Sequence, residues 1–115
     1  MIADDSTAMR MALSETISRS NHELIAECKD SIETLEKFKL LNPDLLFLDW
    51  EMPKTDGFAV LKEIKKIEPN AKIIMVTAHD DMELIQNCIK QGALAYITKP
   101  FDSEKILEAI SFATE

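Results

Sequence analysis

Glycine is scarce in this 115-residue chain: only Gly57 and Gly92 occur, and no repeat, low-complexity tract or Gly/Ser linker accompanies them. Without a candidate hinge, residues 1–115 are expected to form one domain. Basic charge is also short. Thirteen Lys and Arg face twenty-one Asp and Glu, a net charge of −8, which argues against a nucleic-acid binder needing a cationic face. Long apolar runs are absent, the best being Leu45 to Leu48 and Ile73 to Val76, far below the roughly 20 residues of a membrane helix. Met1-Ile2-Ala3-Asp4-Asp5 has neither a basic stretch nor an apolar segment of signal type, so the expected location is the cytoplasm. Cysteine is limited to Cys28 and Cys88, with no CxxC pair and no His at ligand spacing; both are expected to be buried thiols, not zinc ligands or a disulfide. What is present, 46% hydrophobic and 30% charged residues, is enough for a globular core.

The apolar residues fall into two kinds of pattern. Leu45 to Leu48 and Ile73 to Val76 are short continuous runs bounded by polar residues, as in strands buried on both faces of a parallel sheet; Met1 to Ala3, His22 to Cys28 and Leu94 to Ile97 are weaker strand candidates. Helical spacing links Met9, Leu13, Thr16 and Ile17; then Val60, Leu61, Ile64 and Ile67; then Met82, Ile85 and Ile89; then Ile106, Leu107, Ile110 and Ala113. A shorter helix is expected around Ile32 and Leu35. Ser6, Asp30 with Glu33, and Asp102 or Ser103 supply starts, and Gly92 a stop. Strand and helix thus alternate five times, the order of a doubly wound α/β fold with helices on both faces of a parallel sheet. The first strand is truncated, since strands of about five or six residues are the norm.

Ligands of such sheets bind beyond the carboxyl ends of the strands. Asp4 and Asp5 follow the first strand, Asp49 the third, Thr77 the fourth, and Thr98 and Lys99 the fifth. Three carboxylates at one rim repel unless a cation lies among them, and a hard divalent ion such as Mg²⁺ suits oxygen donors with room left for phosphate. Asp49 is then a candidate nucleophile forming an aspartyl phosphate, with Thr77 and Lys99 placed to hold phosphoryl oxygens.

These residues also carry a resemblance. Asp4-Asp5-Ser6, then Leu46-Phe47-Leu48-Asp49 with Met52-Pro53 and Asp56-Gly57, then Val76-Thr77-Ala78, then Tyr96-Ile97-Thr98-Lys99-Pro100-Phe101, resemble the receiver domain of two-component response regulators. The chemotaxis-type stand-alone members are the most similar. Asp5, Asp49, Thr77 and Lys99 follow at intervals of 44, 28 and 22 positions, and the likeness covers essentially the whole chain. It implies a flavodoxin-like strand order of 2-1-3-4-5 and Asp49 as acceptor of a phosphoryl group from a histidine kinase. It also implies Mg²⁺ held by Asp5, Asp49 and the Glu51 backbone carbonyl, with Asp4 acting through water. Thr77 and Lys99 would bind the phosphoryl group, and Tyr96 would turn inward as Thr77 moves. Lys99-Pro100 would be cis, Glu51 and His79 would tune phosphate lifetime, and a downstream protein would dock on the face of the fourth helix, fifth strand and fifth helix. Asp81, Glu83, Gln86 and Lys90 are the exposed residues expected beside that face. Ala95 departs from the glycine that many members carry there.

Simpler explanations exist for single residues. Asp4 and Asp5 suit a helix start, Thr77 a turn, Lys99 a solvated surface; His22 suits a strand edge, Trp50 a packing role and the six methionines core filler. The joint placement on one rim favours the site. Two alternatives remain open: an Mg²⁺-dependent aspartyl-phosphate phosphohydrolase of haloacid-dehalogenase type, with Glu51 as the second acid, and a receiver belonging to a longer regulator or hybrid kinase.

Overall fold

The computed structural model describes residues 1–114. Its elements run β1 (Ile2–Ala3), α1 (Thr7–Ser18), β2 (Glu27–Cys28), α2 (Ser31–Leu41), β3 (Leu46–Leu48), α3 (Gly57–Ile67), β4 (Ile73–Thr77), α4 (Met82–Lys90), β5 (Ala95–Thr98) and α5 (Ser103–Ala113). The five strands are all parallel, in the order β2-β1-β3-β4-β5.

Side-chain alternation along the strands divides the core into two layers. Met1, Ala3, Leu46, Leu48, Ile73 and Met75 point toward α2, α3 and α4, where they meet Phe38, Leu61, Ile64 and Cys88. Ile2, Phe47, Ile74 and Val76 point the other way, against Leu13 and Ile17 of α1 and Ile106 and Ile110 of α5. Every residue of β3 and β4 is buried, which is why these strands appear in the sequence as unbroken apolar runs rather than alternating ones. Both cysteines are buried free thiols, and no helix among the described residues is long and apolar enough to cross a membrane.

All five helices begin with a side-chain oxygen accepting a backbone N–H, from Ser6, Asp30, Asp56, Asp81 and Asp102. The expected box at Asp30 and Glu33 closes one residue early: Asp30 accepts the Glu33 amide at 2.8 Å, while Glu33 accepts the Lys29 amide at 3.2 Å. Gly92 ends α4 at φ 104°, with its own amide donating to Ile89 and that of Ala93 to Cys88, the paired bonds of a left-handed helix stop.

Three expectations need correction. α2 spans 11 residues and is no shorter than α3 or α5; its buried face is Ser31, Thr34 and Phe38, and Ile32 is exposed. In α4 the period of Met82, Ile85 and Ile89 is right but the face is not, because Met82 and Ile89 are exposed and Cys88 is the buried residue. The second strand covers Glu27–Cys28 only, not His22 to Cys28. A strand is defined by its neighbour, and β1 gives it no partner beyond two residues.

Candidate functional site

The parallel sheet brings four strand ends to one rim. Asp4 lies one residue past β1, Asp49 one past β3 and Lys99 one past β5, while Thr77 is the last residue of β4. The ladder fixes these positions: the Asp49 amide donates to Ala3 at 3.0 Å and the Lys99 amide to Thr77 at 2.8 Å. Asp4, Asp49 and Thr77 are buried, at 1%, 4% and 0% exposure, whereas Asp5 is exposed.

Such burial of two carboxylates is costly unless charge and hydrogen bonds compensate. Lys99 supplies the charge: its Nζ donates to Asp4 Oδ2 at 2.7 Å and to Asp49 Oδ2 at 2.9 Å. The other oxygens accept backbone amides, Asp4 Oδ1 from Ser6 at 2.9 Å and Asp49 Oδ1 from Glu51 at 3.3 Å. Burial is the largest influence on Asp4 and raises its pKa above the ordinary carboxylate value, with the Lys99 and Ser6 hydrogen bonds acting against it. For Lys99 burial pulls the pKa down, but the hydrogen bonds to Asp4 and Asp49 outweigh it and hold the ammonium above its usual value.

One carboxylate oxygen from each of Asp4, Asp5 and Asp49 lies within 4.8 Å of the others. All three donors are hard oxygens, with no imidazole or thiolate among them, so the set fits a magnesium-like ion and not zinc. Around the group, the His79 amide lies 3.5 Å from Thr77 Oγ1, and His79 Nε2 pairs with Glu51 at 2.7 Å. Tyr96 is half-buried and its hydroxyl donates to the His79 carbonyl at 2.7 Å; burial, foremost, pushes its pKa up to about 12. Trp50 stacks on Phe58 with ring centres 5.4 Å apart and presents an edge to His79. The Lys99-Pro100 bond is cis. His22 stands apart, exposed before β2.

Three residues hold the site in place: Gly57, which the motif around Asp49 already included, and Ser31 and Arg10, which sequence reasoning passed over. Gly57 packs against the loop bearing Asp49: a Cβ there would overlap the Asp49 carbonyl and come within 2.8 Å of Trp50 Cα. Ser31, buried at the start of α2, donates to the Pro53 carbonyl and accepts the Thr55 amide at 3.0 Å, pinning the far side of the same loop. Arg10 donates to the Asp4 carbonyl at 2.8 Å and pairs with Glu27. For Gly57 the signal was its place in the Asp56-Gly57 motif; Ser31 and Arg10 look like ordinary surface helix residues until the fold sets them beside the loops.

The rim geometry has close relatives. The sequence pattern of the response regulator receiver domain matches residues 1–111. The chain belongs to that family. It is 38% identical over 111 residues to the chemotaxis protein CheY of Bacillus subtilis (strain 168), covering 96% of this chain and 92% of that one. With the CheY of Thermotoga maritima it shares 39% identity over the same proportions. Among solved structures, the CheX-CheY-BeF3-Mg complex from Borrelia burgdorferi superposes with a TM-score of 0.95 at 31% identity, covering 99% of this chain and 87% of that chain. The doubly wound fold and strand order expected of a receiver are those observed, and a CheY-type receiver domain is a signalling module of two-component systems.

Proposed function

We propose that this receiver domain is a phospho-acceptor switch in which Asp49 takes a phosphoryl group from a histidine kinase in the cytoplasm. The observation that carries the reading is the Lys99 ammonium bridging two buried carboxylates at the rim, one of them Asp49, on the strand ends where Thr77 also lies. In the transfer, an oxygen of Asp49 forms the new bond to phosphorus as the bond to the donor's imidazole nitrogen breaks, and the imidazole keeps the electron pair and takes up a proton. Asp5, Asp49 and the Glu51 carbonyl are the residues that would hold Mg²⁺, with Asp4 acting through water. When bound, the ion supplies positive charge against the phosphoryl oxygens.

The chain's own groups do the rest. Lys99 carries a mobile positive charge already seated on Asp49, and the Thr77 hydroxyl offers a hydrogen bond to a phosphoryl oxygen. As Thr77 turns to phosphate, Tyr96 is the neighbouring side chain that can follow, changing the α4, β5 and α5 face that a downstream protein reads. Glu51 and His79, paired with each other beside Asp49, govern the approach of the water that ends the signal. That pairing also weighs against the phosphohydrolase alternative, because the Glu51 carboxylate is engaged by His79.

Acetyl phosphate with Mg²⁺ should add one phosphoryl group to the intact protein by mass spectrometry, and Asp49→Asn should add none. Equal labelling of both proteins would overturn the assignment. Trp50, the sole tryptophan, should report Mg²⁺ binding by fluorescence, with weaker affinity in Asp5→Ala.

A further inference from the structure

Asp5 differs from its neighbours on the rim. Asp4 and Asp49 are buried, and every oxygen of their carboxylates accepts a hydrogen bond. The Asp5 side chain is exposed and has no hydrogen-bond or ion-pair partner among the described residues. With no contact of its own, that carboxylate is aimed only by the backbone on either side of it.

Both peptides that flank Asp5 are held. On one side, the Ser6 amide donates to Asp4 Oδ1 at 2.9 Å, and Ser6 then caps α1. On the other, the carbonyl of the peptide joining Asp4 to Asp5 accepts from Arg10 Nη1 at 2.8 Å. A peptide is planar, so holding its oxygen also sets the direction in which the N–Cα bond of Asp5 leaves. Arg10 is itself tethered: Nε lies 3.5 Å from Glu27 Oε1 and Nη2 3.4 Å from Thr7 Oγ1, with the side chain 18% exposed. Glu27 pairs in register with Ile2, and the Asp4 amide donates to Cys28 at 2.9 Å. The turn after β1 is thus tied to β2 twice, once by main chain and once through the rigid guanidinium fork.

Two effects of Arg10 on a cation at the rim oppose each other. Its charge repels the ion, while its hydrogen bond orients a ligand. Glu27 offsets the charge, and solvent and salt screen what remains. Orientation is not screened, and its worth depends on the ion. Mg²⁺ demands near-ideal octahedral geometry at about 2.0–2.1 Å, whereas Ca²⁺ accepts about six to eight oxygens over a looser range of about 2.3–2.6 Å.

We propose that Arg10 is a positioning residue that makes the rim selective for Mg²⁺ over Ca²⁺, by fixing the peptide between Asp4 and Asp5 so that the Asp5 carboxylate meets the tighter geometry. This role rests on the reading of Asp5 and Asp49 as metal ligands.

The test is titration of Mg²⁺ and, separately, Ca²⁺ into the ¹⁵N-labelled protein, with Kd read from the amide shifts of Asp49 and Glu51. Arg10→Ala should weaken Mg²⁺ binding about tenfold or more and Ca²⁺ binding by less than about threefold, so selectivity narrows. Arg10→Lys keeps the charge without the fork and should lose selectivity as well. Glu27→Gln leaves Arg10 in place but loosens it, and should fall between. Added KCl should not close the gap between parent and Arg10→Ala. Should Arg10→Ala fail to fold, Arg10→Lys and Glu27→Gln carry the same comparison. Equal losses for both ions, a gain in Mg²⁺ affinity, or parental selectivity in Arg10→Lys overturns the proposal: the first makes Arg10 a general support, the others make its charge the agent. Asp5→Ala separates this role from the metal site itself. Where Asp5→Ala loses Mg²⁺ affinity and the Arg10 variants keep parental selectivity, only the role of Arg10 falls; where Asp5→Ala binds Mg²⁺ as the parent does, the metal site falls and the role of Arg10 with it.

Discussion

Single backbone positions decide whether the loop after β3, which begins with Asp49, can exist. Gly57 does not need its freedom of φ; it needs the absence of a side chain, because a Cβ would overlap the carbonyl of Asp49. Gly57→Ala must therefore push the loop off α3 or unwind the first turn of the helix. The expected cost is about 2–4 kcal/mol, seen as a lower urea midpoint, together with slower labelling of Asp49 by acetyl phosphate. Lys54, in the same loop, has the opposite problem. It is a non-glycine residue at φ 85°, a region costing an L side chain about 1 kcal/mol. Lys54 is exposed and no hydrogen bond of its side chain holds it there among the described residues. Lys54→Gly should raise stability by several tenths to about 1 kcal/mol, an increase of a few degrees in Tm by calorimetry.

At the scale of elements, what was legible in the sequence is what local chemistry controls. Leu46 to Leu48 and Ile73 to Thr77 are buried on both faces, and that demand alone forces unbroken apolar runs. The caps at Ser6, Asp30 and Asp102 are likewise local, one side chain serving an amide two or three residues on. Asp81 caps α4 in the same way, accepting from Glu83 at 2.8 Å and from Leu84 at 3.3 Å. Asp81→Ala should cost about 1 kcal/mol, and hydrogen exchange should show the loss concentrated in α4, whose only buried residue is Cys88. What was not legible depends on neighbours distant in sequence. Whether Met82 and Ile89 face core or solvent depends on where β5 leaves α4, and the length of β2 depends on β1. The rim residues Asp4, Asp5, Asp49, Thr77 and Lys99 were recoverable because strand ends in a parallel sheet must meet. Their supports Ser31 and Arg10 were not, since each acts through one long-range contact without a pattern of its own.

For the molecule as a whole, the clearest consequence of burial is on the alkaline side. Burial raises the Cys88 thiol from 9.0 to about 11 and is the main cause raising the Tyr96 phenol from 10.0 to about 12; Cys28 is raised as well, again chiefly by burial. Each group is neutral when protonated, and the folded chain holds its proton to higher pH than the unfolded chain does. Between pH 9.0 and about 11 for Cys88, and between 10.0 and about 12 for Tyr96, the folded state therefore binds more protons. Stability must fall as pH rises through that window, and the contribution is fully present below it. Urea midpoints should decline steadily from about pH 9 to about pH 12. Tyr96 is the only tyrosine, so tyrosinate absorbance isolates its share: the midpoint should stand near 12 in the folded protein and return toward 10.0 in concentrated urea. Cys88→Ala should lower the urea midpoint at neutral pH, through the cavity it leaves, yet flatten the first half of the alkaline decline. A decline of unchanged slope in that variant would place the alkaline sensitivity elsewhere than in the thiol beneath α4.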